Sequence, residues 1–313
     1  VSAVLEIVVP VFGLVLLGYA IGRPPLFGDG AARSLGTFVF YVALPALLFR
    51  SMAQQGMPDA RHLAFLGTYY VSLFLLAAAA FAAFRLGFRE PVAGAATLAL
   101  GGSFSNVVLM GIPLAIPAFG QEGLPLVLLI VTFHAVTMIG GATVVVEVAR
   151  AGGARPLRVL GKVAAALLRN PLIVSILAGA AWGAAGLGLP TLLDRTISML
   201  SAASVPCALF SLGAELVGMP FRGLLGRTLA VTALKLAALP ALVWAMGTFV
   251  FALPPFELGV AVVIAGMPIG LNVFVFSQRY GIHTPAVAGA VMLTTALASV
   301  TVTLALAWFA PVR

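Results

Sequence analysis

Ten apolar runs follow one another along the chain, each closed by a short stretch of Gly or Pro with charge. They cover residues 3–22, 34–52, 63–84, 92–119, 123–148, 170–189, 192–217, 228–252, 256–280 and 285–310. The punctuation between them includes Arg23-Pro24-Pro25, Gly56-Met57-Pro58-Asp59, Arg89-Glu90-Pro91 and Gln121-Glu122-Gly123. Each run approaches the roughly 20 residues that a helix needs to cross hydrocarbon. A spanning barrel would alternate apolar with polar lumen-facing positions, and no such alternation is present. Backbone polar groups in lipid must be satisfied within the segment. The pattern therefore predicts an all-α integral membrane protein with ten transmembrane helices.

Composition removes the other classes. Of 313 residues, 62% are apolar and 8% are charged, and mean hydropathy is +1.16. Soluble domains carry about 25% charged residues. A soluble globule, a disordered chain and a nucleic-acid binder with a basic face are all excluded. The net charge of +8 reads as topology, because Lys and Arg collect in cytoplasmic loops. With the loop after the fifth run inside, the inner side holds Arg23, Arg33, Arg85, Arg89, Arg150, Arg155, Arg158, Lys162, Arg169, Arg222, Arg227 and Arg279. The outer side holds Arg50, Arg61, Arg195 and Arg313. This split predicts both termini outside. It also makes 150–169 a basic cytoplasmic stretch with a short interfacial helix before Asn170-Pro171. The first run lacks the basic flank of a cleavable signal peptide. A single cysteine, Cys207, excludes an intramolecular disulfide and a multi-cysteine metal site.

The long basic connection near mid-chain points to a repeat. Pro45-Ala46-Leu47-Leu48-Phe49 matches Pro206-Cys207-Ala208-Leu209-Phe210, and Phe119-Gly120 matches Tyr280-Gly281, both at one offset of about 161 residues. Five runs per copy is an odd number, so the second copy enters from the opposite side. This is an inverted repeat, an architecture of secondary transporters. The halves are 1–155 and 170–313, joined by 156–169.

Spans 4 and 9 read as broken helices. Span 4 contains Gly101-Gly102-Ser103-Phe104-Ser105-Asn106 and then Met110-Gly111-Ile112-Pro113; span 9 contains Gly266-Met267-Pro268-Ile269-Gly270-Leu271-Asn272. Proline removes a donor and clashes with the preceding turn, and glycine weakens a helix by about 1 kcal/mol. The breaks are expected near 106–113 and 267–272. Matching interruptions in two halves are a sequence pointer to a midplane binding site.

These residues carry a resemblance. The patterns S-x-S-N-x-x-x-M-G-I-P-L at 103–114 and M-P-x-G-x-N-x-F-x-x-x-x-x-Y-G at 267–281 resemble the auxin efflux carrier family, which includes bacterial malonate- and malate-type carriers. The resemblance runs along the whole chain. It implies the crossed-helix fold shared with bile-acid symporters and sodium/proton antiporters. In that fold spans 1, 2, 6 and 7 form a scaffold, and spans 3–5 and 8–10 form a transport domain. It also implies a bacterial inner membrane location, elevator-type alternating access and homodimerisation through scaffold spans.

A broken helix offers unpaired N–H groups on one side of the gap and C=O groups on the other. The N–H end favours anions. The expected substrate site therefore combines Asn106, Asn272, Ser103 and Ser105 with the gap residues Met110, Gly111, Pro113, Met267, Pro268 and Gly270. Each Asn could instead cap its break, and each Ser could bond back to its own helix. Lys235 lies within span 8, where a charge is costly and by default functional, able to hold a carboxylate or to occupy a cation site; alternatively it snorkels to the interface. His134, between Thr132 and Thr137, suits a proton relay or a neutral ring bonded to a backbone carbonyl. Gln278 is a further polar candidate. Glu147 and Glu215 are expected to pair with Arg150 and Arg222. Span 3, from Thr68-Tyr69-Tyr70 to Phe84, has no carboxylate, so an acid found there in plant members lends no role here. Coupling to H⁺, to Na⁺ or to neither stays open, and no cofactor or metal is expected.

The residues and the resemblance together point to a secondary carrier of a small organic anion, a carboxylate or dicarboxylate. The alternative is a transporter-like ligand sensor. An intramembrane enzyme would need a nucleophile–base pair or metal cluster, which scattered His62, His134 and His283 do not supply.

Overall fold

A computed structural model describes residues 2–23, 30–55, 62–151, 169–217, 219 and 225–309. The described residues are helical with no strands, in order α1 (Ser2–Ile21), α2 (Ala31–Phe38), α3 (Leu44–Gln55), α4 (Leu63–Leu86), α5 (Val92–Ser103), α6 (Ile112–Ala151), α7 (Pro171–Ala184), α8 (Thr191–Leu216), α9 (Leu225–Ala233), α10 (Leu239–Ala245), α11 (Pro255–Ala265), α12 (Leu271–Tyr280) and α13 (Thr284–Phe309). Seven helical runs among them are long and apolar enough to cross a membrane; α5, α7 and α11 are shorter apolar helices. The expected interfacial helix in 150–169 falls largely outside the described residues.

Three features of the helices bear on the sequence reading. The boundary expected between spans 4 and 5 at Gln121-Glu122-Gly123 is shorter than a loop: two helices within α6 meet at Gly120, whose φ of 68° and ψ of −168° are open to glycine without steric cost. The two interrupted spans are each divided into a short apolar helix and a second helix, which is why α5 and α11 fall short of a membrane thickness. Third, helices widen to π turns at Val39–Ala43, Val107–Gly111, Leu234–Ala238 and Met246–Val250. The first three each end two residues before a proline: Pro45, Pro113 and Pro240. Proline clashes with the carbonyl four residues earlier, here that of Tyr41, Leu109 or Leu236. Widening the turn at those residues relieves the clash.

The chain divides into two compact units. One gathers α1–α3, residues 108–132, α7 and α8. Within it α1 lies on α8 at backbone distance: a methyl at Gly18 would sit 2.1 Å from the carbonyl oxygen of Phe210, and one at Gly213 would sit 1.9 Å from that of Val15. Small residues permit such approach in apolar surroundings. Asp194 on α8 takes Arg50 on α3 as a fork, with Nε at 2.7 Å and Nη2 at 3.1 Å. Asn170 caps α7 by accepting the Leu172 N–H at 3.0 Å, with Pro171 in the first turn.

The other unit gathers α4, α5, residues 133–151 and α9–α13. It holds both helix interruptions, and its interior buries apolar residues such as Phe65, Phe84 and Leu98 together with polar groups including Tyr69, His134 and Lys235.

Candidate functional site

The first interruption starts where Gly101 and Gly102 weaken α5 and the Ser103 hydroxyl bonds back to the carbonyl of Ala99 at 2.7 Å. Phe104 is extended (φ −85°, ψ 115°), and Ser105 and Asn106 continue outside regular helix. The second interruption runs through Gly266–Gly270. The two meet within one unit. Ser105 and Ile269 form an antiparallel bridge, and the Asn106 N–H donates to the Pro268 carbonyl at 2.8 Å. The Ile269 N–H donates to Thr294 Oγ1 at 3.2 Å, and the Ser105 N–H donates to His134 Nε2 at 3.0 Å. Backbone groups released by one break are thus satisfied by the other break or by side chains of α6 and α13. Left unpaired, each such buried N–H would cost about 1–3 kcal/mol.

Packing fixes the crossing tightly. A methyl on Gly270 would lie 2.6 Å from Phe104 Cε1, closer than carbon atoms approach. The Phe104 ring lies 4.5 Å from the His134 ring. Tyr69 on α4 donates to Ser105 Oγ at 3.3 Å, and its ring sits 5.9 Å from His134.

Four helix ends converge on these few residues. Helices α5 and α11 bring carbonyl ends; the turn at Val107 and α12 at Leu271 bring N–H ends. The first pair is partially negative and the second partially positive. Lys235 lies in the π turn of span 8, fully buried, and its Nζ donates to the carbonyl of Ala265, the last residue of α11, at 2.5 Å. Of the two readings of Lys235, snorkelling is overturned: the ammonium is held inside by a helix carboxyl end.

The expected site residues separate accordingly. The breaks lie slightly N-terminal to their expected positions, at 104–106 and 266–270. Asn106 and Ser105 are buried in the first. Met267, Pro268 and Gly270 are buried in the second, and Asn272 is exposed in the first turn of α12. Ser103 takes its back-bonding alternative. Met110 and Gly111 occupy a π turn, and Pro113 opens α6; all three belong to the first unit, as does Thr132, whose hydroxyl bonds back to Leu128 at 2.8 Å. Gln278 is exposed near the end of α12. His134 corrects its expected partner: Nε2 accepts a backbone N–H instead of donating to a carbonyl. Glu147 accepts from Tyr280 at 2.8 Å, while Arg150 donates to the Tyr280 carbonyl, so Tyr280 stands between the pair expected to meet directly. Arg222, the expected partner of Glu215, is outside the described residues.

Sequence reasoning missed Tyr69 and Thr294. Neither sits in a motif, and hydroxyls inside apolar runs give no local signal. It also missed a cluster between α4 and α5. The Glu90 carboxylate is 3% exposed and takes Arg227 on one oxygen and His283 on the other, the latter at 2.6 Å. Burial pushes this carboxyl up; hydrogen bonds and charge attraction from His283 and Arg227 outweigh burial and hold it below the usual carboxylate range.

A helical chain with two interrupted helices bonded to each other at their gaps is the architecture of a membrane carrier. Comparison agrees: residues 3–306 match the membrane transport protein family, that of the auxin efflux carriers, and the chain belongs to it. A Rhizobium meliloti protein described as "Putative malonate transporter" is 30% identical over 95% of this chain and 93% of its own length. Auxin efflux carrier component 5 of Arabidopsis thaliana is 27% identical over 61% of this chain and 63% of its own. Auxin efflux carrier component 3a of Oryza sativa subsp. japonica is 33% identical over 44% of this chain and 23% of its own.

Proposed function

We propose that this protein is a secondary carrier of a small organic anion, a carboxylate or dicarboxylate, bound at the crossing of the two interrupted helices. The observation that carries the reading is the Ser105–Ile269 bridge, which brings two helix N-terminal ends and Asn106 to one place. Those ends supply partial positive charge, and amides supply directed hydrogen bonds. A carboxylate could thus be held without a buried arginine. Asn272, exposed in the first turn of α12, is assigned the face of the site open to the entering anion. The names of the relatives, malonate and auxin carriers, favour the same substrate class.

Transport is proposed to run by alternating access of elevator type, the unit containing the crossing being the part that moves. An inverted repeat of five plus five spans underlies this scheme. It is supported by Gly120 and Gly281, which occupy matching repeat positions and both take positive φ, 68° and 66°, with different ψ, −168° and 31°. The deciding experiment is uptake of labelled malonate into proteoliposomes. A carrier accumulates or exchanges the label. Saturable binding without flux would instead mark a ligand sensor.

A further inference from the structure

Lys235 poses a question that anion transport leaves unanswered. Its side chain is fully buried, and a buried charge is costly unless paired. Among the described residues its ammonium makes no ion pair with a carboxylate. The titratable group within electrostatic reach is His134, whose Nε2 is already engaged by Ser105. What the ammonium does touch is backbone: the carbonyl of Ala265, where α11 stops. Helix α5 ends against the same turn, since a methyl at Gly102 would meet Leu234 Cβ at 3.1 Å. The carboxyl end of α11, partially negative, is thus the group that meets Lys235, while α5 packs beside the same π turn. The positive charge answers a helix dipole, not an acidic side chain.

Carbonyl oxygens at the carboxyl ends of broken membrane helices are the ligands that coordinate alkali cations in carriers. We infer that the Lys235 ammonium permanently fills a monovalent-cation site at the carboxyl end of α11, so that the crossing needs no sodium ion to be complete. The residue is then a positioning residue: it holds the Gly266–Gly270 segment by its last helical carbonyl and makes the protein indifferent to alkali cations.

The test uses the purified full-length protein with Lys235→Ala and Lys235→Met, followed by thermal unfolding in sodium, methylammonium or choline chloride at equal ionic strength. A cation that binds the folded state raises its apparent stability. The wild type is expected to melt at one temperature in all three salts. Lys235→Ala is expected to melt lower in choline and to regain several degrees in methylammonium or sodium. Lys235→Met, which fills the space without charge, is expected to melt low in every salt. Folding of Lys235→Ala only in the presence of a small cation would support the same conclusion. The inference falls if sodium stabilises the wild type over choline, or if Lys235→Ala melts like the wild type in choline. It falls equally if Lys235→Ala responds to no cation or fails to fold in all of them. None of these readouts uses the transported anion, so they stand even if the substrate assignment fails.

Discussion

The backbone N–H of Ser105 donates to Nε2 of His134 at 3.0 Å, tying the gap after α5 to the middle of α6. An imidazole nitrogen that accepts is unprotonated, so the ring is neutral and carries its proton on Nδ1. His134→Phe keeps a ring against Phe104 but strands the Ser105 N–H. It should lower stability by about 1–3 kcal/mol, read as an earlier thermal transition in detergent. His134→Gln supplies a carbonyl acceptor and should recover most of that loss. Equal melting of the Phe and Gln variants would show that the bond does not hold the gap.

Gly270 is predicted to tolerate no side chain. The methyl of Gly270→Ala would lie 2.6 and 2.9 Å from two atoms of the Phe104 ring. Overpacking of this kind costs about 1–3 kcal/mol and here would also push the two gaps apart. Malonate uptake should fall at least tenfold. Adding Phe104→Leu should restore part of it, since the obstructing ring atoms are removed.

Glu90 gives a pH dependence with a definite sign. Its carboxyl lies below the ordinary range in the folded protein. It therefore contributes stability that is present above the unfolded value, near pH 4.3, and is lost as pH falls through the folded value. Glu90→Gln should cost about 1.5–3 kcal/mol at neutral pH, the range for hydrogen bonds to charged groups. The gap between variant and wild-type melting temperatures should close below roughly pH 4. A gap that stays constant down to pH 3 would show that the ion pairs contribute nothing.

Much of this architecture could be read from the chain. Apolar runs identify membrane helices because lipid demands continuous apolar stretches, and Gly-Gly and Met-Pro-x-Gly locate the interruptions because those residues break helices wherever they stand. The exact extents were less legible. Gln121-Glu122-Gly123 looks like a loop by composition, yet Gly120 alone turns the chain and helix resumes immediately. What closes the crossing was invisible. Tyr69, His134 and Thr294 come from three different helices, and their convergence on two adjacent gap residues is a tertiary fact with no local pattern. Lys235 was legible as unusual but not in its partner, because a backbone carbonyl has no residue type to read.

The asparagines provide the direct test of the anion site. Asn106→Asp and Asn272→Asp keep the size and replace a donor with negative charge, and both should abolish malonate binding. The corresponding Ala variants should weaken it by roughly 1–3 kcal/mol, about one to two orders of magnitude in affinity. If both Asp variants fold and transport malonate at wild-type rates, neither residue lines the site.

The distribution of arginines predicts an orientation with both termini outside. In a Cys207→Ser background, Arg155→Cys should react with a membrane-impermeant maleimide only after permeabilisation of intact cells. Labelling from outside would invert the assigned topology.

The π turns carry a consequence for how the spans are read. Each takes up one residue more than an α turn, and one residue corresponds to about 100° of rotation at 3.6 residues per turn. The parts of span 8 before and after Leu234–Ala238 are therefore two helices out of phase. A single stripe drawn from Leu225 to Val250 at constant period points its second half in the wrong direction. Removing one residue from that turn would bring the halves into phase and swing every side chain on one side of the excision by nearly a third of a revolution relative to the other. The sequence would remain equally apolar, and hydropathy alone would register no change.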